Sequence, residues 1–222
     1  KAGQWASTRP DIFPSNLCKE LYQLHSDTRP HSQQWTLHLL RPLMPDIISA
    51  IQMKPIGCGT VAQVHNCTLW DGTMVAVKII HPNIRKTIEV DLQILRIAAR
   101  LAQVVYPPLK WINLPGELDV FSKIMFSQCD MRIEYENLRQ FCKNFNRPRS
   151  KITFPTPLYS NQNVLVETLE NGIPLQHFIN DSSISGHLKD YNARKIFKAF
   201  MKMILKDNFI HADLHPGNIL VK

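Results

Sequence analysis

The chain has 222 residues, 44% hydrophobic and 20% charged, an ordinary globular composition with enough length for one large or two small cores. Lysine and arginine number 26 against 18 acidic residues, a net charge of +8; the basic residues are scattered, so the balance suits phosphates or an anionic membrane surface, and no nucleic-acid partner is expected. Five dispersed cysteines without a C-x-x-C pair argue against a disulfide framework and a structural zinc site, and no apolar run reaches membrane-spanning length.

Residues 1–10 lack the charged start and apolar stretch of a secretory signal. Residues 1–50 read as a helical segment broken by Pro10, Pro14, Pro30, Pro42 and Pro45. Within it Leu17, Leu21 and Leu24 recur at helical spacing after Pro14-Ser15. Residues 61–69 and 74–80 are rich in apolar and β-branched side chains and flank Asp71-Gly72, which predicts two strands and a tight turn. Ile84, Ile88, Leu92, Leu95, Ala99 and Ala102 predict a helix over 84–105, ended by Pro107-Pro108. Leu118, Phe121, Met125, Cys129, Ile133, Leu138 and Phe141 repeat that spacing over 118–145. A break at Pro155 and Pro157 precedes a short apolar strand at 164–169, and a third amphipathic helix over 191–207 delivers the chain to Ile210-His211.

The most specific segment is His211-Ala212-Asp213-Leu214-His215-Pro216-Gly217-Asn218, which fits H-x-D-x-x-x-x-N, the catalytic loop of kinase-like enzymes. Asp213 can accept a proton from the attacking group or orient it. Asn218, five residues on, can turn back to ligate a metal held by phosphates, and His211 can pack to hold the loop. His211 and His215 also have the spacing of a helical zinc pair, but Pro216-Gly217 argues for a loop.

Val75-Ala76-Val77-Lys78 is the second anchor. An alternating strand places Lys78 on a nucleotide side, where an ammonium can pair with phosphates. The preceding Gly57-Cys58-Gly59-Thr60-Val61-Ala62-Gln63-Val64 is a glycine loop whose N–H groups can approach phosphates closely. The lysine needs an acidic partner, since two unit charges about 4 Å apart interact by roughly 4 kcal/mol at an effective dielectric near 20. Glu134 and Glu89 are the candidates.

On these residues the chain resembles the UbiB-type atypical kinase-like family, in its aarF-domain kinase branch, which is associated with coenzyme Q biosynthesis. Lys1-Ala2-Gly3-Gln4 is similar to that family's K-x-G-Q motif, through Lys1, Gly3 and Gln4. Ile79-Ile80-His81-Pro82 follows Lys78 as the family's segment does, and 211–221 is similar to its catalytic loop. The family places the acidic partner in an E-x-D-x-x-x-E pattern after an inserted helix. Gln128, Asp130 and Glu134 fall on those positions, which selects Glu134 over Glu89, and Asp130 and Glu134, four apart, share a helix face. Two departures stand out. Gly57 and Gly59 occupy a loop that is Ala-rich in the family, and Gln128 replaces the first acid.

The resemblance implies an α+β, protein-kinase-like bilobal fold. It has a helical extension over 1–50, an N-lobe with an antiparallel sheet and inserted helices over 51–170, and the start of a C-lobe over 171–222. It implies ATP and Mg²⁺ as cofactors. Gly57, Gly59, Thr60 and Lys78 would meet phosphates, and the backbone of Glu167 and Leu169 would meet adenine. Asp130 and Asn218 would meet the metal, and Asp213, Lys78 and Glu134 would carry catalysis. K-x-G-Q packs over the cleft in the family, which implies ATP hydrolysis or small-molecule phosphotransfer, a lipid or quinone precursor as partner, and a mitochondrial location. Two alternatives stay open: an aminoglycoside- or choline-kinase-like phosphotransferase, and a nucleotide-binding pseudokinase scaffold. The sequence ends at Lys222 before any D-F-G triplet, so this stretch alone is not expected to be catalytically competent.

Overall fold

The structure is a computed structural model and describes residues 14–22, 29–42, 50–147, 150–211, 214 and 216–222. Helix α1 (Ser15–Tyr22) begins just after Pro14. In α2 (Gln33–Leu40) the Ser32 side chain accepts a hydrogen bond from the Trp35 amide, satisfying one of the helix's orphan N–H groups. Strands β1 (Gly57–Cys58), β2 (Ala62–Thr68) and β3 (Met74–Ile80) follow, each antiparallel to the next. The β2–β3 turn needs Gly72, whose φ of 84° strains any residue with a Cβ. Beyond it lie α3 (Ile84–Val105), α4 (Leu114–Ser127), α5 (Met131–Phe145), β4 (Pro157–Ser160), β5 (Val164–Thr168), β6 (Ile173–Pro174), α6 (Leu175–Asn180), α7 (Gly186–Lys202) and β7 (Leu220–Val221). Among the described residues no helix is long and apolar enough to cross a membrane.

The chain divides into two compact units, 1–137 with 157–168, and 138–156 with 169–222. The first holds a five-stranded antiparallel sheet in the order β1-β2-β3-β5-β4. Strand alternation sorts its faces. Val75, Val77 and Ile79 of β3 lie on one face with Val164 and Val166 of β5, and Leu40 of α2, Ile51 and Cys67 complete that core. Burying each of the larger side chains contributes on the order of 1.5–3 kcal/mol. The opposite face of β3 carries Ala76 and Lys78. Ile88 and Leu92 of α3 pack with Cys129 and with Phe121 and Met125 of α4 in a second cluster. The second unit is built on Phe141, Phe145 and Met203, with Phe154, Phe209 and Leu214 against them, and on the antiparallel pair β6–β7.

Several expectations change. The periodicity over 118–145 is two helices, because the chain turns at 128–130: Cys129, 1% exposed, enters the α3–α4 cluster, and the Met131 amide bonds the Gln162 carbonyl at 3.2 Å. Strand β4 was read as a proline break. Pro157 is tolerated because β4 is the sheet's edge. The last helix starts earlier than Tyr191, where Ser185 caps the Leu188 amide, and ends in a π turn over Met203–Asp207. Of the extension over 1–50, α2 groups with the sheet, through Leu40 and Trp35 on its core. Residues 138–156, read as part of the N-lobe, group with the second unit because Phe141, Phe145 and Phe154 share its core.

Candidate functional site

Strand register puts Lys78 opposite Val64 of β2 and Leu165 of β5, with Glu167 opposite Ala76 one pleat along the same face. Helix α5 supplies the partner: Glu134, in its first turn, accepts from the Lys78 ammonium in a partly buried ion pair. Burial pulls the Lys78 pKa down, but the carboxylates of Glu134 and Glu167 outweigh it and raise the value above normal, so the lysine is a fixed positive charge. Glu89 is exposed on α3, and the ion pair of Lys78 is with Glu134. The Glu167 carboxylate, to which the sequence assigned no role, therefore helps hold that charge. Its signal was the period-2 register, legible only once β3 and β5 were known to be neighbours.

Asp130 has different company. Its carboxylate accepts from the Arg132 amide at 3.0 Å and from both ends of the Arg132 guanidinium at 2.6–3.3 Å. The Arg132 side chain is the main cause of its lowered pKa. Asp130 therefore engages the first turn of α5, and a metal there would have to displace Arg132. Among the described residues no three His, Cys, Asp or Glu side chains form a metal-holding group.

Gly57, in β1, and Gly59, in the β1–β2 loop, are both exposed. A Cβ at Gly57 would meet nothing within 4 Å, and one at Gly59 only the Ala62 carbonyl at 3.5 Å. Alanine fits at both positions, in keeping with the Ala-rich loops of the family the sequence resembles, and the space beside Gly57 is open to a ligand. The Gly59 amide donates to the Ala62 carbonyl at 2.9 Å, and the Gly59 carbonyl accepts from the His81 ring at 2.9 Å. Thr60 lies between these bonds. His81 is one of a set, with His31, Thr36, Gln63 and His65; the sequence placed Gln63 and His81 in motifs but did not join them to one another or to the rest. His31 and His81 are 50 residues apart, so no local pattern joins them.

Of the expected adenine-binding stretch, Glu167 is the last residue but one of strand β5 in the first unit, and Leu169 opens the second segment of the second unit. In the second unit, Phe141 stacks on Phe154 at 4.6 Å and meets Phe209 at 4.7 Å and His211 at 5.6 Å. After the 3₁₀ turn Pro216–Asn218, the chain returns as β7, whose neighbour Ile219 accepts from the Leu175 amide at 2.8 Å. Gly172 permits this approach, since a Cβ there would lie 2.9 Å from the Val221 carbonyl. Lys222 pairs with Glu170. A cavity of about 460 Å³ in this unit is lined by Arg147, Lys151, Lys195, Lys198 and Lys202 and by none of the predicted site residues. Asp213, His215, Lys1, Gly3 and Gln4 lie outside the described residues.

Residues 37–222 match the ABC1 atypical kinase-like domain. The chain belongs to this family. The whole chain is 38% identical to the "Probable serine/threonine-protein kinase abkC" of Dictyostelium discoideum, covering 32% of that protein. It is 35% identical to the "ABC1 family protein YPL109C, mitochondrial" of Saccharomyces cerevisiae, covering 37%, and 30% identical to the "Probable protein kinase UbiB" of Cellvibrio japonicus, covering 41%. It thus spans about a third to two fifths of these relatives. Among solved structures, the Mycobacterium tuberculosis protein Rv3197, determined as a complex with erythromycin, superposes with a TM-score of 0.69 over all of this chain and 56% of its own, at 20% identity. The kinase-like fold is therefore shared, and this ABC1 domain has the antiparallel sheet and helices expected of it, the sheet with five strands.

Proposed function

We propose that this ABC1 domain binds Mg-ATP and that the full-length protein hydrolyses it or transfers its phosphoryl group to a small molecule of coenzyme Q biosynthesis, in the mitochondrion. The observation that carries the reading is Lys78, kept charged by Glu134 and Glu167 on the sheet face two strands from the open Gly57–Cys58 edge. Bound Mg-ATP would supply the phosphoryl group and neutralise part of its own charge. Lys78, its ammonium directed by Glu134, would hold the phosphates together with the 57–60 loop. The backbone of Glu167 and Leu169 would hold adenine. Asp213 would align the attacking group and Asn218 would help to hold the metal; Asp130 would join it only on leaving Arg132. By the family resemblance, a K-x-G-Q segment at Lys1, Gly3 and Gln4 would exclude a polypeptide acceptor while admitting water or a small one. A lipid or quinone precursor at a membrane surface is the partner that fits such chemistry. The mitochondrial name of the yeast relative supports the location.

The test is Mg-ATP affinity of the full-length protein and of Lys78→Ala, read by thermal shift. Loss of a phosphate-paired lysine weakens binding by roughly 2–5 kcal/mol. Equal stabilisation of both proteins refutes the reading. Binding without hydrolysis, unchanged in Asp213→Asn, marks a pseudokinase scaffold. Protein phosphorylation that is lost in Asp213→Asn refutes the small-molecule part.

A further inference from the structure

We infer that His81 and His31 are positioning residues of the nucleotide loop: a directional chain of hydrogen bonds from Thr36 through both imidazoles ends on the Gly59 carbonyl and holds the loop in one conformation. The inference rests on the nucleotide reading of that loop.

With both rings neutral, valence fixes the direction of each bond. The Gly59 carbonyl only accepts, so the His81 Nε2 at 2.9 Å carries the proton. The Nδ1 of a neutral His81 then accepts, and the His31 Nδ1 at 2.8 Å donates to it. That leaves the His31 Nε2 bare, and it accepts from the Thr36 hydroxyl at 3.1 Å. Thr36 is fully buried in α2. The three bonds are satisfied together when both rings are neutral. A second proton on His81 would reverse the chain, because His31 would have to move its own proton from Nδ1 to Nε2 and the Thr36 hydroxyl would have to turn and accept; a second proton on His31 would displace the Thr36 donor. Burial first, then His81 and His65 nearby, holds the His31 pKa at about 4 against an ordinary 6.5, so His31 is neutral at physiological pH.

The surroundings fix the rings in place. The His31 amide donates to Gln63 Oε1 at 2.8 Å. Gln63 Nε2 donates to His65 Nε2 at 2.9 Å, and His65 Nδ1 donates to the Gln52 carbonyl at 2.9 Å. Gln63 and His65 are 1% and 0% exposed, so this second chain is also committed. Trp35 Nε1 donates to the Ile80 carbonyl at 2.9 Å, next to His81. His81 grips the loop twice: its amide donates to the Val61 carbonyl at 2.9 Å and its ring to the Gly59 carbonyl, one bond on each side of Thr60. The two glycines leave this loop little stiffness of its own. A loop that meets its ligand in one conformation loses apparent affinity in proportion to the time it spends elsewhere. The relay therefore passes the packing of α2 to the phosphate-facing turn.

The test uses variants chosen by the nitrogen they keep, in the full-length protein. His81→Gln keeps a donor near the Nε2 position and His81→Leu removes it; His31→Asn keeps a donor near Nδ1 and His31→Leu removes it. Calorimetry with Mg-ATP should give a Kd weakened roughly tenfold in the two leucine variants, the scale of one hydrogen bond, and within about threefold of wild type in His81→Gln and His31→Asn. If His81→Leu does not fold, His81→Asn, whose amide is too short to reach Gly59, takes its place with the same expected loss. Independently of nucleotide, long-range ¹H–¹⁵N spectra at pH 7 should show both rings neutral, with the proton of His81 on Nε2 and that of His31 on Nδ1. A His81 proton on Nδ1, or wild-type affinity in His81→Leu alongside lost binding in Lys78→Ala, overturns the inference alone. Wild-type affinity in Lys78→Ala overturns it together with the nucleotide reading.

Discussion

In the sheet unit the chemistry-bearing groups are polar and sit where strand register and directional bonds put them: Lys78 between Glu134 and Glu167, the Gly59 carbonyl on His81. In the helical unit the segment that begins at His211 follows a column of rings, Phe154, Phe141 and Phe209, with Met203 and Leu214 beside it. The two regions fail differently. A register-held charge keeps its place until a partner is removed. A ring-held loop loses its place when the packing loosens, because dispersion and burial are collective and non-directional.

Phe141→Ala should separate the two regions most strongly. It removes contacts to Phe154, Phe209 and His211 at once, and should cost about 3–5 kcal/mol. Hydrogen exchange should show protection lost over 203–211 and retained over 74–80. Equal loss in both places would mean that the units do not open separately.

Leu40→Ala is the counterpart in the sheet unit. Leu40 is fully buried against Val75, Val77 and Ile79, and its truncation should cost about 2–5 kcal/mol in denaturant unfolding. Here protection over 74–80 should fall first.

Gly172→Ala tests the return strand. The added Cβ meets backbone 2.9 Å away at Val221, so β6 and β7 must part, at about 1–3 kcal/mol. Gly57→Ala, with open space around its Cβ, should leave the melting temperature unchanged.

Acid provides a graded test. The unfolded chain protonates His31 near 6.5, the folded chain near 4. Between those values the unfolded state holds more protons, so stability falls as pH drops from about 6.5 to about 4. The difference in pH–stability slope between wild type and His31→Asn isolates this from His81 and His65. No difference across that window would mean that His31 is already charged in the fold.

The smallest effect is expected from Arg132→Ala. The pair with Asp130 is solvent-exposed on the arginine side, so Tm should not move measurably. The Asp130 carboxyl should titrate closer to its ordinary value, which NMR can follow. A large drop in Tm would show that the pair organises the start of α5.

Much of this was legible beforehand where one physical period dominates. The strand at 74–80 and the helix at 84–105 have the bounds that alternation and helical spacing give, and Asp71-Gly72 marked its turn. The helix break at 128–130 was not legible, because Cys129 continues the apolar spacing of its neighbours while serving a different cluster. Strand β4 was hidden by Pro157, whose cost vanishes only at an edge. The assignment of 138–156 to the second unit depended on which rings Phe141 and Phe145 meet, and aromatic spacing along one helix does not name the partner. Glu134 was reached through family resemblance, since charge alone left Glu89 equally available.

The amino-acid order by itself determined the elements with one clear period, the face of β3 that carries Lys78, and the motifs that mark a kinase-like chain, because these depend on neighbours a few residues apart. Tertiary structure alone decided that Glu167 shares the charge of Lys78, that Asp130 is occupied by Arg132, and that His31 bonds His81, which in turn bonds the Gly59 carbonyl. Such contacts join residues brought near by sheet order and helix packing, and hydrogen bonds act only within about 3 Å, a distance that separation along the chain does not encode.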